Sequence, residues 1–164
     1  MNLEELDVKK DRMRFTKNSF SANLTYLAIL IDVFYFVDVY RCDVGTYFYN
    51  IVIGVSIVYN LIFMLAAFLS SEAVKNYDTR YSFVLGVLGV VQVIRIFIIP
   101  MNAVSATTMI GGEEVAVMGQ GQFMYMSACL VISAVLLIVA AVVNYQKGTT
   151  LAAYMKSIGQ GAAS

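Results

Sequence analysis

The sequence predicts an all-α membrane protein, an up-down bundle of four transmembrane helices, and three observations carry that prediction. The chain is 60% hydrophobic with a mean hydropathy of +0.75, far more apolar than a soluble domain of 164 residues tolerates. Charged residues make up only 13% and fall mostly outside four apolar stretches. Those stretches, about residues 24–40, 47–69, 82–100 and 122–145, each approach or exceed the roughly 17–25 residues that span hydrocarbon as a helix.

Residues 1–21 form a polar leading segment. Leu3, Leu6 and Met13 fall near one helical face, Asn2 and Glu5 stand at capping-box spacing, and Glu5 and Lys9 form an i,i+4 pair, so a short surface helix is expected over Leu3 to Phe15. Its basic residues Lys9, Lys10, Arg12, Arg14 and Lys17 lie nearest the membrane, where they act as a topology signal beside anionic headgroups. The apolar segment behind them contains Asp32 and lacks a small-residue cleavage site, so no signal peptide is expected to be removed.

The four spans make up a transmembrane domain over residues 22–146. The connection from Arg41 to Thr46 is so short that the first two spans must be antiparallel neighbours. Lys75 and Arg80 lie between the second and third spans, and Lys147 and Lys156 follow the fourth, whereas the remaining connections offer only Arg41. This lysine and arginine bias places both termini in the cytoplasm. Tyr35, Tyr40, Tyr47, Phe48 and Tyr49 then crowd the outer interface as an aromatic belt.

The outer connection from Met101 to Gly121 is the long one. Ala106 to Ile110 and Glu113 to Val117 are β-prone runs flanking Gly111-Gly112, with Glu113 and Glu114 beside the turn, which predicts a small outer hairpin between the third and fourth spans. A lone two-stranded hairpin is marginal in water, so it should rest on the bundle or on another protein. Residues 147–164 read as a weakly amphipathic cytoplasmic tail, helical at first and then frayed.

A polar layer crosses the spans. Counted inward from the outer ends at about 1.5 Å per residue, Asp32, Ser56 and Gln92 lie roughly 13 Å deep, Ser133 about 3 Å deeper and Arg95 roughly 8 Å deep. Gln92 and Arg95 share one face of the third span, and Ser82, Gly86 and Gly89 form a small-residue stripe on the other, where a backbone can approach closely. The third span therefore reads as the central helix. The fourth, with Ala128, Ser133, Ala134, Ala140 and Ala141, reads as a packing helix, and Tyr59 and Asn60 as deeper residues bonding within or between helices.

Two readings of Asp32 and Arg95 follow. A carboxylate in hydrocarbon can bind and release protons or cations, which would make the pair an ion-coupled site. Alternatively the two neutralise each other across parallel helices and fix helix pairing, or one of them pairs with another subunit. The structural reading is preferred, because Arg95 would hold the carboxylate ionised and no second membrane acid lies at the same depth.

Composition excludes several function classes. Net charge is zero and the pI about 6.2, so no basic face invites nucleic acid. Histidine is absent, and Cys42 and Cys129 lack paired-ligand spacing, so the sequence points to no metal site, cofactor, disulfide or enzyme.

An acid in the first of four spans is similar in outline to the small multidrug resistance transporters, but Arg95, the long outer connection and the surrounding residues do not fit that family. The run FTKNSFSANLTYLAILIDVFYFV followed by RIFIIPM resembles small four-span membrane proteins of unassigned function from Gram-positive bacteria, some associated with transporter gene clusters. That resemblance implies a bacterial plasma (inner) membrane location and brings no site residues. The resulting expectation is a non-enzymatic accessory subunit of a larger membrane complex, a transporter first of all, contacting lipid and a membrane protein partner or its own copies. The alternative is a self-assembled channel or proton-coupled small-solute carrier using Asp32 and Arg95.

Overall fold

The structure, a computed structural model, describes residues 3–41, 51–110 and 112–161. Its elements are α1 (Leu3–Met13), α2 (Ser19–Arg41), α3 (Ile51–Lys75), α4 (Arg80–Ile98), α5 (Pro100–Val104), β1 (Thr107–Ile110), β2 (Glu113–Ala116) and α6 (Gln120–Gly161). Four of them, α2, α3, α4 and α6, are long and apolar enough to cross a membrane. Asn2, Cys42, Tyr47, Phe48, Tyr49, Gly111 and the connection after Arg41 lie outside the described residues, as do the side chains of Leu3, Glu5, Leu6, Tyr40 and Arg41.

The distribution of side chains is that of a bilayer protein. Leu30, Phe34, Leu61, Ile62, Leu65, Val90 and Phe97 stand exposed on the outside, while Ser21, Thr25, Asp32, Asn60, Gln92, Arg95, Ser133 and Asn144 are buried. In water this arrangement would be unfavourable. In hydrocarbon it is required, because polar groups find partners only inside the bundle.

Both α2 and α4 pack most extensively on α6, while α3 lies mainly on α2 and more lightly on α4. The four helices thus form a ring in which α2 and α4 face each other across the diagonal. The expectation of a central third helix is corrected: α6 is the hub, and α4 is one of its two main neighbours. Small residues make this possible, since Ala134 and Ala140 of α6 are buried and Gly89 of α4 lies against it. A Cβ at Gly89 would stand 2.7 Å from Ile138 Cγ1 and 3.2 Å from the Ala134 carbonyl oxygen. Ala128, by contrast, faces outward.

Helix ends depart from the hydropathy estimate. The first span begins at Ser19 rather than Leu24, because Ser21, Ala22 and Thr25 are fully buried and Thr25 Oγ1 donates back to the Ser21 carbonyl at 3.0 Å. Helix α3 runs past Leu69 to Lys75: Ser70 Oγ donates to the Ala66 carbonyl at 2.7 Å, and Ser71 Oγ reaches the Ala22 carbonyl of α2 at 3.3 Å. The connection to α4 is accordingly only a tight turn. Tyr77 N bonds to Val74 O and Asp78 N to Ala73 O, a Schellman-type cap with Tyr77 at φ 60 in the place glycine usually takes. Gly148 of α6 lets this turn sit against the bundle, since a Cβ there would meet Tyr77 O at 2.7 Å and Thr79 Cγ2 at 2.5 Å.

At the other end, α4 stops at Ile98, and Pro100 opens the short α5 at a position where its missing N–H costs nothing. The hairpin pairs Thr107 with Ala116 through Ile110 with Glu113, and Gly112 turns at φ 92. Strand β2 is exposed throughout, including Glu113 and Glu114. The residues just after it, Val117 and Met118, are buried with Tyr35, Val39, Ala103 and Met126, so the base of the hairpin is anchored on the bundle.

No break separates a tail. Helix α6 is continuous over 42 residues, roughly 63 Å at 1.5 Å per residue against a hydrocarbon core of about 30 Å, and α1 packs on it.

Candidate functional site

The site is a polar cluster in the middle of the bundle to which all four long helices contribute. Arg95 of α4 reaches across the diagonal to α2, where Nη1 donates to Asp32 Oδ1 at 2.7 Å. The same nitrogen donates to Gln92 Oε1 at 2.6 Å, and Nη2 donates to Asn60 Oδ1 of α3. Gln92 Nε2 in turn donates to Asp32 Oδ1 at 2.9 Å and to Ser133 Oγ of α6 at 3.1 Å. Ser133 passes its own hydrogen to the Ala28 carbonyl at 3.2 Å, which ties α6 to α2.

Burial is nearly complete. Asp32, Gln92 and Ser133 are 0% exposed, Asn60 1% and Arg95 5%. Three rings flank the guanidinium, with Arg95 Cζ 4.7 Å from the Tyr35 ring centroid, 5.1 Å from Tyr59 and 5.6 Å from Phe63. Such ring faces are attractive to a desolvated cation. The charges sum to zero, and the polyvalent pairing offsets part of the cost of dehydrating them.

The pairing is incomplete. Asp32 Oδ2 and the Tyr59 hydroxyl are buried without a hydrogen-bond partner among the described residues.

Several sequence expectations shift here. Asp32, Gln92, Arg95 and Ser133 come together, but the partner from α3 is Asn60 instead of Ser56. Ser56 is half-buried and contributes its carbonyl, which accepts from Asn60 Nδ2 at 2.9 Å. Tyr35, expected in the interface belt, is fully buried beside Arg95. Of the packing stripe, Ser82 and Gly89 contact α6, whereas Gly86 has open space around it.

A second polar cluster, absent from the sequence reading, closes the end of the bundle that bears α1. Asn144 Nδ2 of α6 donates to Asp78 O and to Ser82 Oγ, both at 2.8 Å, and Asn144 Oδ1 accepts from Asn18 Nδ2 at 2.9 Å. Asn18 also donates to Ser21 Oγ at 3.0 Å, accepts from Lys147 Nζ at 3.3 Å, and its backbone N–H meets Lys75 O at 2.9 Å. Nearby, Tyr26 of α2 is bonded to Glu72 and Lys75 of α3. The signal that could have found this cluster was Asn144 itself, an amide standing within the last apolar stretch.

Comparison with known protein families, with curated proteins and with solved structures finds no match.

Proposed function

We propose that this chain is a non-enzymatic integral membrane subunit that assembles with a larger complex, a transporter, through a transmembrane helix of its partner. The observation that supports this is a groove of about 840 Å³ between α4 and α6, walled by Ser82, Gly86 and Val90 on one side and Ile138, Ala141 and Val142 on the other. Ser82, Gly86 and Val90 recur every four residues, so the seam runs roughly 12 Å along the helix. Small residues on such a seam are what close helix packing in lipid uses. Meanwhile the polar cluster ties the four helices to one another, as a fastening that readies the surface for a partner would. The lysine and arginine bias supports an orientation with both termini in the cytoplasm, and the resemblance to small four-span proteins of Gram-positive bacteria supports a bacterial plasma membrane location.

Isolation from native membranes in mild detergent tests this reading. A stoichiometric membrane companion is expected, and Gly86→Leu, which fills the seam, should abolish its recovery while leaving the helical content unchanged. A lone monomer, or full recovery with Gly86→Leu, would overturn it.

A second reading, a self-assembled carrier or channel using Asp32 and Arg95, draws on the unpaired Asp32 Oδ2. An acid with a spare oxygen inside the membrane can bind a proton or cation. Liposomes holding the purified protein should then show cation or proton flux that Asp32→Asn abolishes, and no flux from the wild type would count against it.

A further inference from the structure

Beside the polar cluster lies a cleft of about 210 Å³ between α3 and α4, where the two helices pack lightly. Its walls are aliphatic at Val55, Val91, Ile94 and Ile98, and three polar residues reach it, Ser56, Tyr59 and Arg95. A cleft between two membrane helices is entered from the lipid side. The 5% of Arg95 that remains accessible belongs to a residue of its lining.

Donor bookkeeping shows what this cleft can still do. A guanidinium carries five N–H donors. Nη1 gives both of its hydrogens, to Asp32 and Gln92, and Nη2 gives one to Asn60. The Nε–H and one Nη2–H therefore lack an acceptor among the described residues, and the buried Tyr59 hydroxyl lacks a partner as well. Unused donors at a membrane-buried, mostly aliphatic cleft ask for an oxygen acceptor carried on an apolar body. The acceptor should be uncharged, because Asp32 already neutralises Arg95 and a second anion would leave net charge in hydrocarbon.

We infer that the cleft between α3 and α4 binds an amphiphile whose polar end is an uncharged carbonyl group, held by the spare N–H groups of Arg95 and the hydroxyl of Tyr59. This site is separate from the partner seam between α4 and α6, and it shares Arg95 with the ion pair to Asp32. Its carbonyl can come from a free ester-type amphiphile or from the ester linkage of a bilayer phospholipid.

The test uses the full chain in nanodiscs of ether-linked phospholipid, with a chain-diazirine analogue of methyl decanoate as photoprobe. Labelling should fall on the peptides carrying Ser56 and Tyr59 and Ile94 to Ile98, and excess methyl decanoate should suppress it where decane does not. Ser56→Leu, which fills the cleft, should abolish labelling. Tyr59→Phe should weaken it about threefold, the worth of one hydrogen bond within the membrane. Val131→Ala, on the exposed face of α6, should leave it unchanged. Equal competition by decane in the wild type, or unchanged labelling in Ser56→Leu, would overturn the proposal. In ester-linked nanodiscs a sharp drop in labelling identifies the lipid's own carbonyl as the occupant, and undiminished labelling identifies a free amphiphile.

Discussion

Two polar clusters lie roughly 20 Å apart along α4, one around Arg95 in the middle of the bundle and one around Asn144 at its end. Both join helices that are distant in sequence, and both are buried, yet they are built from different chemistry. The end cluster is centred on neutral amides and hydroxyls, with Lys147 at its edge, and its donors and acceptors match. The middle cluster rests on an ion pair and keeps unused capacity: one carboxylate oxygen, the Tyr59 hydroxyl and two guanidinium hydrogens. A matched cluster fastens helices. An unmatched one in hydrocarbon keeps room for something to bind, which is why intramembrane charges so often mark functional sites.

The strongest way to break this contrast is to remove one charge. Arg95→Gln alone should cost about 3–5 kcal/mol, because it strands the Asp32 carboxylate in the core. Asp32→Asn alone strands the guanidinium and should cost a comparable amount. The double variant should cost less than either, and thermal unfolding in detergent of all four forms measures the coupling. Strictly additive losses would mean that the two groups do not act as a pair.

An intermediate effect is expected at the end cluster. Asn144→Ala removes two donated bonds and one accepted bond at once, and should cost about 1–2 kcal/mol in the same assay. It should not disturb photoprobe labelling of the cleft. A loss as large as that of Arg95→Gln would erase the distinction between neutral fastening and charged site.

The smallest effect sharpens the comparison. Tyr59→Phe removes an unpaired hydroxyl and keeps a ring beside the guanidinium, so stability should change by less than about 0.5 kcal/mol. A larger loss would show that the hydroxyl is hydrogen-bonded in the folded protein.

How far the site was legible follows from what hydropathy measures. Depth along a span can be counted, so Asp32 and Gln92 were placed at one level, with Ser133 about 3 Å deeper and Arg95 roughly 5 Å shallower but long enough to reach it. Ser56 and Asn60 are four residues apart and share a helix face, so the face was right and the turn was wrong by roughly 6 Å. The error came from the outer span limit, because depth was counted from residue 47 whereas the described helix begins at Ile51, four residues later. The long reach of Arg95 then selected the deeper amide.

The sequence by itself determined the number of spans, the hairpin that pairs Thr107–Ile110 with Glu113–Ala116 and the existence of a charged layer, because a bilayer admits few ways to satisfy a backbone and fewer places for a charge. Only the tertiary structure decided that α6 is the hub, that Asp32 and Arg95 meet across the diagonal, that Tyr35 leaves the interface to flank the guanidinium, and that Asn18 and Asn144 close the far end. The reason is physical: periodicity gives each residue a depth and a face on its own helix, whereas which faces meet depends on where small residues let other backbone approach, a second helix at Gly89 and the turn at Tyr77 at Gly148.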